Sequence, residues 1–439
     1  MRASAITLLL LWQIGPAGSG RAPSPGRHLL YQREIVLPPG ASGQACVVLD
    51  AAVFAHTQSD GAGDIRIDAR DAEHEFEVPF ALTESGPATL DNEAAAQENG
   101  AVRNGTLVFD LSMPSGDYTD VDLDLNTKNF IGLAQVAGIA ERGHSTPLGT
   151  FAVFDLSAQG LARSTILPLP DSIYPTLHVE LRLFTPEGQP IVPSASMIGG
   201  ATVPPAREEQ TAYVTVASSS IIEPQGHWSA MTMIVPAHVP VERARFVLKP
   251  EFHESFLRDA TVAASPMENG IAALGAAEGV SGHIFRVTRG GVPGVPPINS
   301  QVLSINTVIG ANLRSPAKIM MSIDNGSAAP LPIARAELEM RERKLCFETR
   351  PATSYTLRYG DADLSAPSYG YARRFVAAAK PVVGILGPEQ RNPNYMRSGT
   401  GEEQRSSGRD LPWILLIATI SVAGVFALQY VRHRREEIG

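Results

Sequence analysis

"LDLNTKNFIGLAQV" (Leu123–Val136) and "FVLKPEFHESFLRDATV" (Phe246–Val262) write one figure twice. In both, an alternating run breaks at a polar loop and a phenylalanine follows. A valine then stands six positions further on, Val136 after Phe130 and Val262 after Phe256. The continuations also match. "GTFAVFDL", "ARSTILPLP" and "LHVELRLF" follow the first copy, and "GHIFRVT", "VLSINTVIG" and "KIMMSID" follow the second. An aromatic side chain near a sheet end fills the core where two sheets close on each other. The repeat therefore predicts that Phe130 and Phe256 plug equivalent places in two related antiparallel β-sandwiches, residues 101–200 and 210–345.

Period-two alternation runs through the rest of the chain. "YTDVDLDL" sets Val121, Leu123 and Leu125 on one face and Asp120, Asp122 and Asp124 on the other, and "ERARFVL" does the same with Ala244, Phe246 and Leu248. Turn residues separate nearly all such runs, which argues for antiparallel sandwiches rather than alternating β/α units. A β segment over 28–100 precedes the modules, and a β segment with a short helix, 346–387, follows them. The helix is read at "YGYARRFVAAAK", Tyr369–Lys380. The fold class expected is mainly β, with tandem antiparallel sandwiches of jelly-roll type and one C-terminal transmembrane helix.

The termini carry membrane signals. Arg2, the apolar run Ala5–Ile14 and the small residues Ala17–Gly20 read as an export signal over 1–20. Pro412–Val431 is an uncharged apolar stretch. At about 1.5 Å per residue it matches a bilayer core of roughly 30 Å. Trp413 and Tyr430 sit at its ends, and Arg432, Arg434 and Arg435 follow. The positive-inside rule keeps those arginines, and the tail 432–439, in the cytoplasm. Residues 388–410 read as a flexible stalk. Together these signals predict a single-pass protein with its N-terminal bulk outside the membrane and a short cytoplasmic tail. A net charge of −9, with no basic face outside the last residues, argues against nucleic acid.

Chemistry-bearing motifs are sparse. The chain shows no HExxH pair, no GxSxG elbow and no phosphate loop, so no catalytic residue, metal or cofactor is expected. Asp117, Asp120, Asp122, Asp124 and Asn126 supply oxygens of the kind calcium takes, but on a strand they spread along one face instead of converging. They read as a solvated strand face. His227 and Trp228 form a candidate ligand platform, with a half-buried strand-start tryptophan as the alternative. Cys46 and Cys346 could pair in an oxidising compartment or stand as two buried thiols.

The segment "VERARFVLKPEFHESFLRDATVAAS" resembles the strand–loop–strand of discoidin-like, or galactose-binding-like, modules. The chain as a whole resembles a domain-of-unknown-function family of bacterial exported proteins anchored by a C-terminal helix. The carrying stretches are "YQREIVLPPGASGQACVVLDAAVFAH", "DIRIDARDAEHEFEVPF", the two repeat segments and "PLPIARAELEMRERKLCFETRPATSYTLRYGDADLSAPSYGYARRF". The resemblance implies an exported bacterial protein anchored at the inner membrane, its ectodomain periplasmic or extracytoplasmic, and brings no activity and no site residues. With no catalytic motif, a tether and large β surfaces, the function expected is a membrane-tethered envelope protein that binds or scaffolds without catalysis, its partner another envelope protein. The alternative is a carbohydrate-binding or carbohydrate-active accessory protein with a glycan as ligand.

Overall fold

The computed structural model describes residue 26 and residues 28–396, apart from 58–61, 87–91, 205–210, 274–276, 292–294, 296 and 351–352. Strand accounts for 56% and helix for 5%, so the chain is mainly β. The expected signal, the span at 412–431 and the tail lie outside the described residues. No helix among the described residues is long and apolar enough to cross a membrane.

The described residues open with β1 (Tyr31–Val36), β2 (Gly43–Val48), the short helix α1 (Ala51–His56), β3 (Arg66–Arg70), β4 (Glu75–Glu77) and β5 (Phe80–Glu84). The first module holds β6 (Glu93–Arg103), β7 (Thr106–Ser112), β8 (Tyr118–Leu125), β9 (Phe130–Ile139), β10 (Ser145–Asp155), β11 (Arg163–Ser164), β12 (Ile166–Ser172), β13 (Thr176–Phe184) and β14 (Ile198–Val203). The second holds β15 (Tyr213–Ser219), β16 (Glu223–Gln225), β17 (Trp228–Val235), β18 (Arg243–Leu248), β19 (Phe256–Glu268), β20 (Ile271–Ala272), β21 (Glu278–Arg289), β22 (Ile298–Val302), β23 (Ser304–Asn306), β24 (Ala317–Asp324) and β25 (Ile333–Arg341). β26 (Arg343–Thr349), β27 (Ser354–Tyr359), β28 (Val382–Leu386) and β29 (Gln390–Arg391) close the described chain.

In the first module β11-β10-β9-β13-β7-β6 make one sheet and β6-β14-β8-β12 the other. β6 serves both: Glu93–Ala95 pair with β14, and residues from Ala96 to Arg103 pair with β7. A bulge between Glu98 and Ala101, with Asn99 at a left-handed φ of 54°, adds bend to this corner strand. Alternate residues of the two sheets meet in the core, Leu177, Val179 and Leu181 of β13 with Val121, Leu123 and Leu125 of β8. The second module repeats the plan: β22-β21-β19-β24-β17-β16 faces β15-β25-β18-β23. Here the corner strand is cut in two, β15 in one sheet and β16 in the other. Phe130 begins β9 and Phe256 begins β19, and both are buried. β9 lies between β10 and β13, and β19 lies between β21 and β24, so the two phenylalanines hold equivalent places.

The first and last segments join into one further sheet, ordered β4-β3-β27-β1-β28-β2-β26-β5, with β29 on β1. Its inner residues Ile35, Val47, Leu345, Phe347, Leu357 and Tyr359 share one apolar cluster with Phe246, Phe256, Met321 and Leu338 of the second module. Only Glu342 separates β25 from β26, and around it Arg343 pairs with Glu84 and Glu242, each at 2.9 Å. The two modules meet through a smaller cluster, Ile131, Phe154, Leu156 and Ala162 against Phe285, Val287, Val295 and Ile298.

Three expectations are corrected. The helix read at Tyr369–Lys380 is a single 3-10 turn, Ala372–Arg374. A short helix is marginal without a buried face, and here Val376 is 80% exposed while Tyr369 turns away to pack edge-on against Phe80. The stalk read at 388–410 is folded at its start. Gln390 and Arg391 pair with β1, and the buried Asn392 donates to the carbonyls of Gly26 and Leu29 at 3.0 and 2.9 Å. The first module begins at Glu93 rather than 101, because a polar, alanine-rich strand is held by pairing on both of its edges and not by its own propensity.

Candidate functional site

A cleft of about 860 Å³ lies where the two modules meet. Its first wall is built on β8. Because Val121 and Leu123 take the inner face, Asp120 and Asp122 point the other way, toward the cleft. The expected solvated face is corrected here: Asp120 is only 6% exposed and Asp122 is half-buried, while Asp124 remains exposed. The cause is the segment Arg163–Ile166, which leaves β10 as β11 and joins β8 as β12, crossing from one sheet to the other over these carboxylates. At the crossing point the Thr165 hydroxyl donates to Asp122 Oδ1 at 2.6 Å, and the Thr119 hydroxyl donates to Asp120 Oδ2 at 3.0 Å.

Arg163 anchors the same crossover. It donates to the Leu125 carbonyl at 2.7 Å and lies 3.3 Å from Asp155 Oδ2. Burial by itself would raise the Asp155 carboxyl. The hydrogen bonds from Ser157 and the charge of Arg163 outweigh it and hold the group below its ordinary value. Phe151 lies half-buried on this wall, and Phe154 and Phe285 reach the cleft from the inter-module cluster.

The facing wall is β22, an edge strand of the second module. Its Ile298 is buried between the modules, and Asn299, Ser300 and Gln301 line the cleft. Gln301 accepts from Arg286 Nε at 3.2 Å and also borders a second hollow of about 370 Å³ beside Phe252 and His253. The first cleft falls within the roughly 300–1,000 Å³ usual for small-ligand sites. Carboxylates, amides and hydroxyls beside phenyl rings suit a ligand carrying many hydroxyl groups, which both donate and accept. Among the described residues no group of three or more His, Cys, Asp or Glu is placed to hold a metal ion.

The residues singled out from sequence lie elsewhere. Trp228 begins β17, and His227 precedes it in the turn with Gly226. His227 is exposed, Trp228 is half-buried, and their ring centroids are 5.2 Å apart at 46°. His227 Nε2 lies 3.8 Å from Asp324 Oδ1, and neither residue lines the cleft. Cys46 and Cys346 face each other across β2 and β26 and form a disulfide, with Cα atoms 4.1 Å apart. Arg163, Thr165, Asn299 and Gln301 carry no motif and were not legible as a site. Their juxtaposition exists only once the modules dock.

No family model matches this chain, and no curated protein does. Among solved structures, a glycoside hydrolase 29 family member from an unknown rumen bacterium aligns over 55% of this chain and 40% of its own, at 12% identity and a TM-score of 0.17. The chain thus spans about two fifths of that hydrolase's length. The CBM22-1-CBM22-2 tandem domain of Xyn10C from Paenibacillus barcinonensis aligns over 66% of this chain and 100% of its own, at 8% identity and a TM-score of 0.14. A structure of infectious bursal disease virus, Gx strain, aligns over 86% and 90%, at 10% identity and a TM-score of 0.16. Scores this low, spread over a hydrolase, a binding tandem and a virus, carry no functional argument.

Proposed function

We propose that this chain is a non-catalytic binding protein that holds a hydroxyl-rich ligand, a glycan, between two sandwiches of galactose-binding-like kind. The observation that carries the reading is the convergence of polar side chains from both modules on one cleft, with Asp120 and Asp122 on one wall and Asn299, Ser300 and Gln301 on the other. Glycoside cleavage needs two carboxyl groups flanking the scissile bond. Here both lining carboxylates stand on one strand of one wall, and the facing wall contributes amides and a hydroxyl. That division suits holding a sugar better than cutting one. The apolar segment 412–431 would tether the cleft at the inner membrane, with the ectodomain in the periplasm.

The test is a glycan-array screen of the full chain in detergent, followed by calorimetric titration of what is retained. Asp122→Asn, Asn299→Ala and Gln301→Ala are each expected to weaken binding about tenfold, the loss of roughly 1.4 kcal/mol of hydrogen bonding. Retention of no glycan overturns the reading, as does binding that ignores all three substitutions. An envelope protein that protects the cleft in place of a glycan replaces the ligand class, and release of a cleaved sugar makes the chain an enzyme.

A further inference from the structure

The sheet built from the two chain ends carries an apolar outer face that the binding reading does not use. β28 lies between β1 and β2. Gly384 points inward, where even a methyl group would meet Leu37 at 2.9 Å, so its neighbours Val383 and Ile385 point outward. They are 68% and 69% exposed. Ile385 is paired with Val36, itself 49% exposed, and Val383 lies beside Cys46 of the disulfide. Gln44, two residues before Cys46 on the same face, bonds the Val376 carbonyl at 3.0 Å and the Ala378 amide at 2.8 Å. This holds the 80% exposed Val376 at the edge of the same patch. Singly exposed aliphatics are ordinary, whereas a contiguous group on one sheet face marks an interaction surface.

The charges around the patch narrow the occupant. Arg373, Arg374 and Lys380 flank Val376, are exposed, and make no ion pair among the described residues. Of the carboxylates on this face, Asp68, Glu75 and Glu77 pair with Arg358, Arg70 and Arg66, and the others among the described strands are Glu34 and Glu348, the latter 3.4 Å from the Tyr371 hydroxyl. In a chain of net charge −9 this is a locally basic surround. The position in the chain narrows it further. β29, the last strand among the described residues, belongs to this sheet, and residues 397–411 separate the described chain from the apolar segment 412–431. Even fully extended, a linker of that length reaches about 50 Å. Of the three sheet units, this one is tied most closely to the segment read as the membrane span.

We propose that the outer face of this sheet docks on an anionic lipid surface, Val36, Val376, Val383 and Ile385 entering the headgroup boundary and Arg373, Arg374 and Lys380 meeting the lipid phosphates. Interfacial binding of this kind sums buried apolar area and electrostatic attraction. Docking would lay the ectodomain against the membrane in a fixed orientation.

The experiment places an environment-sensitive fluorophore on Ile385→Cys in the full chain, with Val192→Cys on the first module as control. The chain is reconstituted in phosphatidylcholine vesicles with and without phosphatidylglycerol. The expected result is a blue shift at position 385 and its quenching by spin-labelled lipids. Both are strongest with phosphatidylglycerol, weakened by salt and by the pair Arg373→Glu and Arg374→Glu, and absent at 192. A label at 385 that reports water in both vesicles overturns the proposal, and so does a chain that associates with neither. A blue shift that persists in detergent without lipid assigns the face to a second copy of the chain and likewise overturns it.

Discussion

Phe130 and Phe256 show how one residue fixes a local geometry. Each opens a central strand of its module's larger sheet, and each fills the core where that sheet closes on its partner. Phe130→Ala and Phe256→Ala should each cost about 3–5 kcal/mol, measured by denaturant unfolding. The two losses should be nearly additive, because the side chains belong to different apolar clusters. Asp68 makes a different residue-scale point. It is buried beside Arg358, with Arg358 Nη1 2.5 Å from Asp68 Oδ2. Burial outweighs the attraction of Arg358 and pushes the carboxyl from 3.8 up to about 6. A carboxyl whose folded value is raised contributes stability that is complete below the unfolded value of 3.8 and is lost as pH rises through about 6. Unfolding free energies measured from pH 4 to 7 should therefore fall by about 2–3 kcal/mol through this group. Asp68→Asn should remove that slope, and an unchanged slope in the variant would exclude Asp68 as its source.

Among the elements, the disulfide between β2 and β26 has the widest consequence, since it joins the first and last segments across both modules. Closing so long a loop restricts the unfolded chain, and its loss should cost about 2–5 kcal/mol. With Cys46→Ser and Cys346→Ser together, hydrogen exchange should accelerate in β1, β2, β26 and β28 before it does in β9 and β13. Uniform acceleration would mean that the end-to-end sheet is not a separate cooperative unit. β11 to β12 and β22 to β23 are equivalent segments passing from one sheet to the other. The first covers Asp120 and Asp122, and the second presents Asn299 and Gln301, so the two repeats supply the opposing walls of one cleft.

For the whole molecule, the cleft depends on how the modules dock. Phe154 and Phe285 stand in the inter-module cluster and also border the cleft. Phe285→Asp would place a charge in that cluster, which is strongly unfavourable without a partner. The expected outcome is a larger radius of gyration by small-angle scattering, far-ultraviolet circular dichroism unchanged, and loss of glycan retention. Full retention despite separated modules would show that the ligand is held by one module alone.

Sequence alone determined the alternation of the strands, the duplicated figure around Phe130 and Phe256, and the inward faces of β8 and β18, because these are local consequences of period two and of where an aromatic can be buried. It left open whether Cys46 and Cys346 meet, and it misread 369–380 as helix and 388–396 as stalk. What decides these places lies hundreds of residues away in the chain: Gln390 pairs with Gln32, Cys46 with Cys346, and Gln44 bonds Val376 and Ala378. It also read Asp120 and Asp122 as solvated, since the segment that covers them, Arg163–Ile166, is near only in space. The cleft was beyond reach for the same reason. A site assembled from two modules has no spacing in the chain to betray it, and the docking of the modules through the cluster that holds Phe154 and Phe285 brings its two walls together.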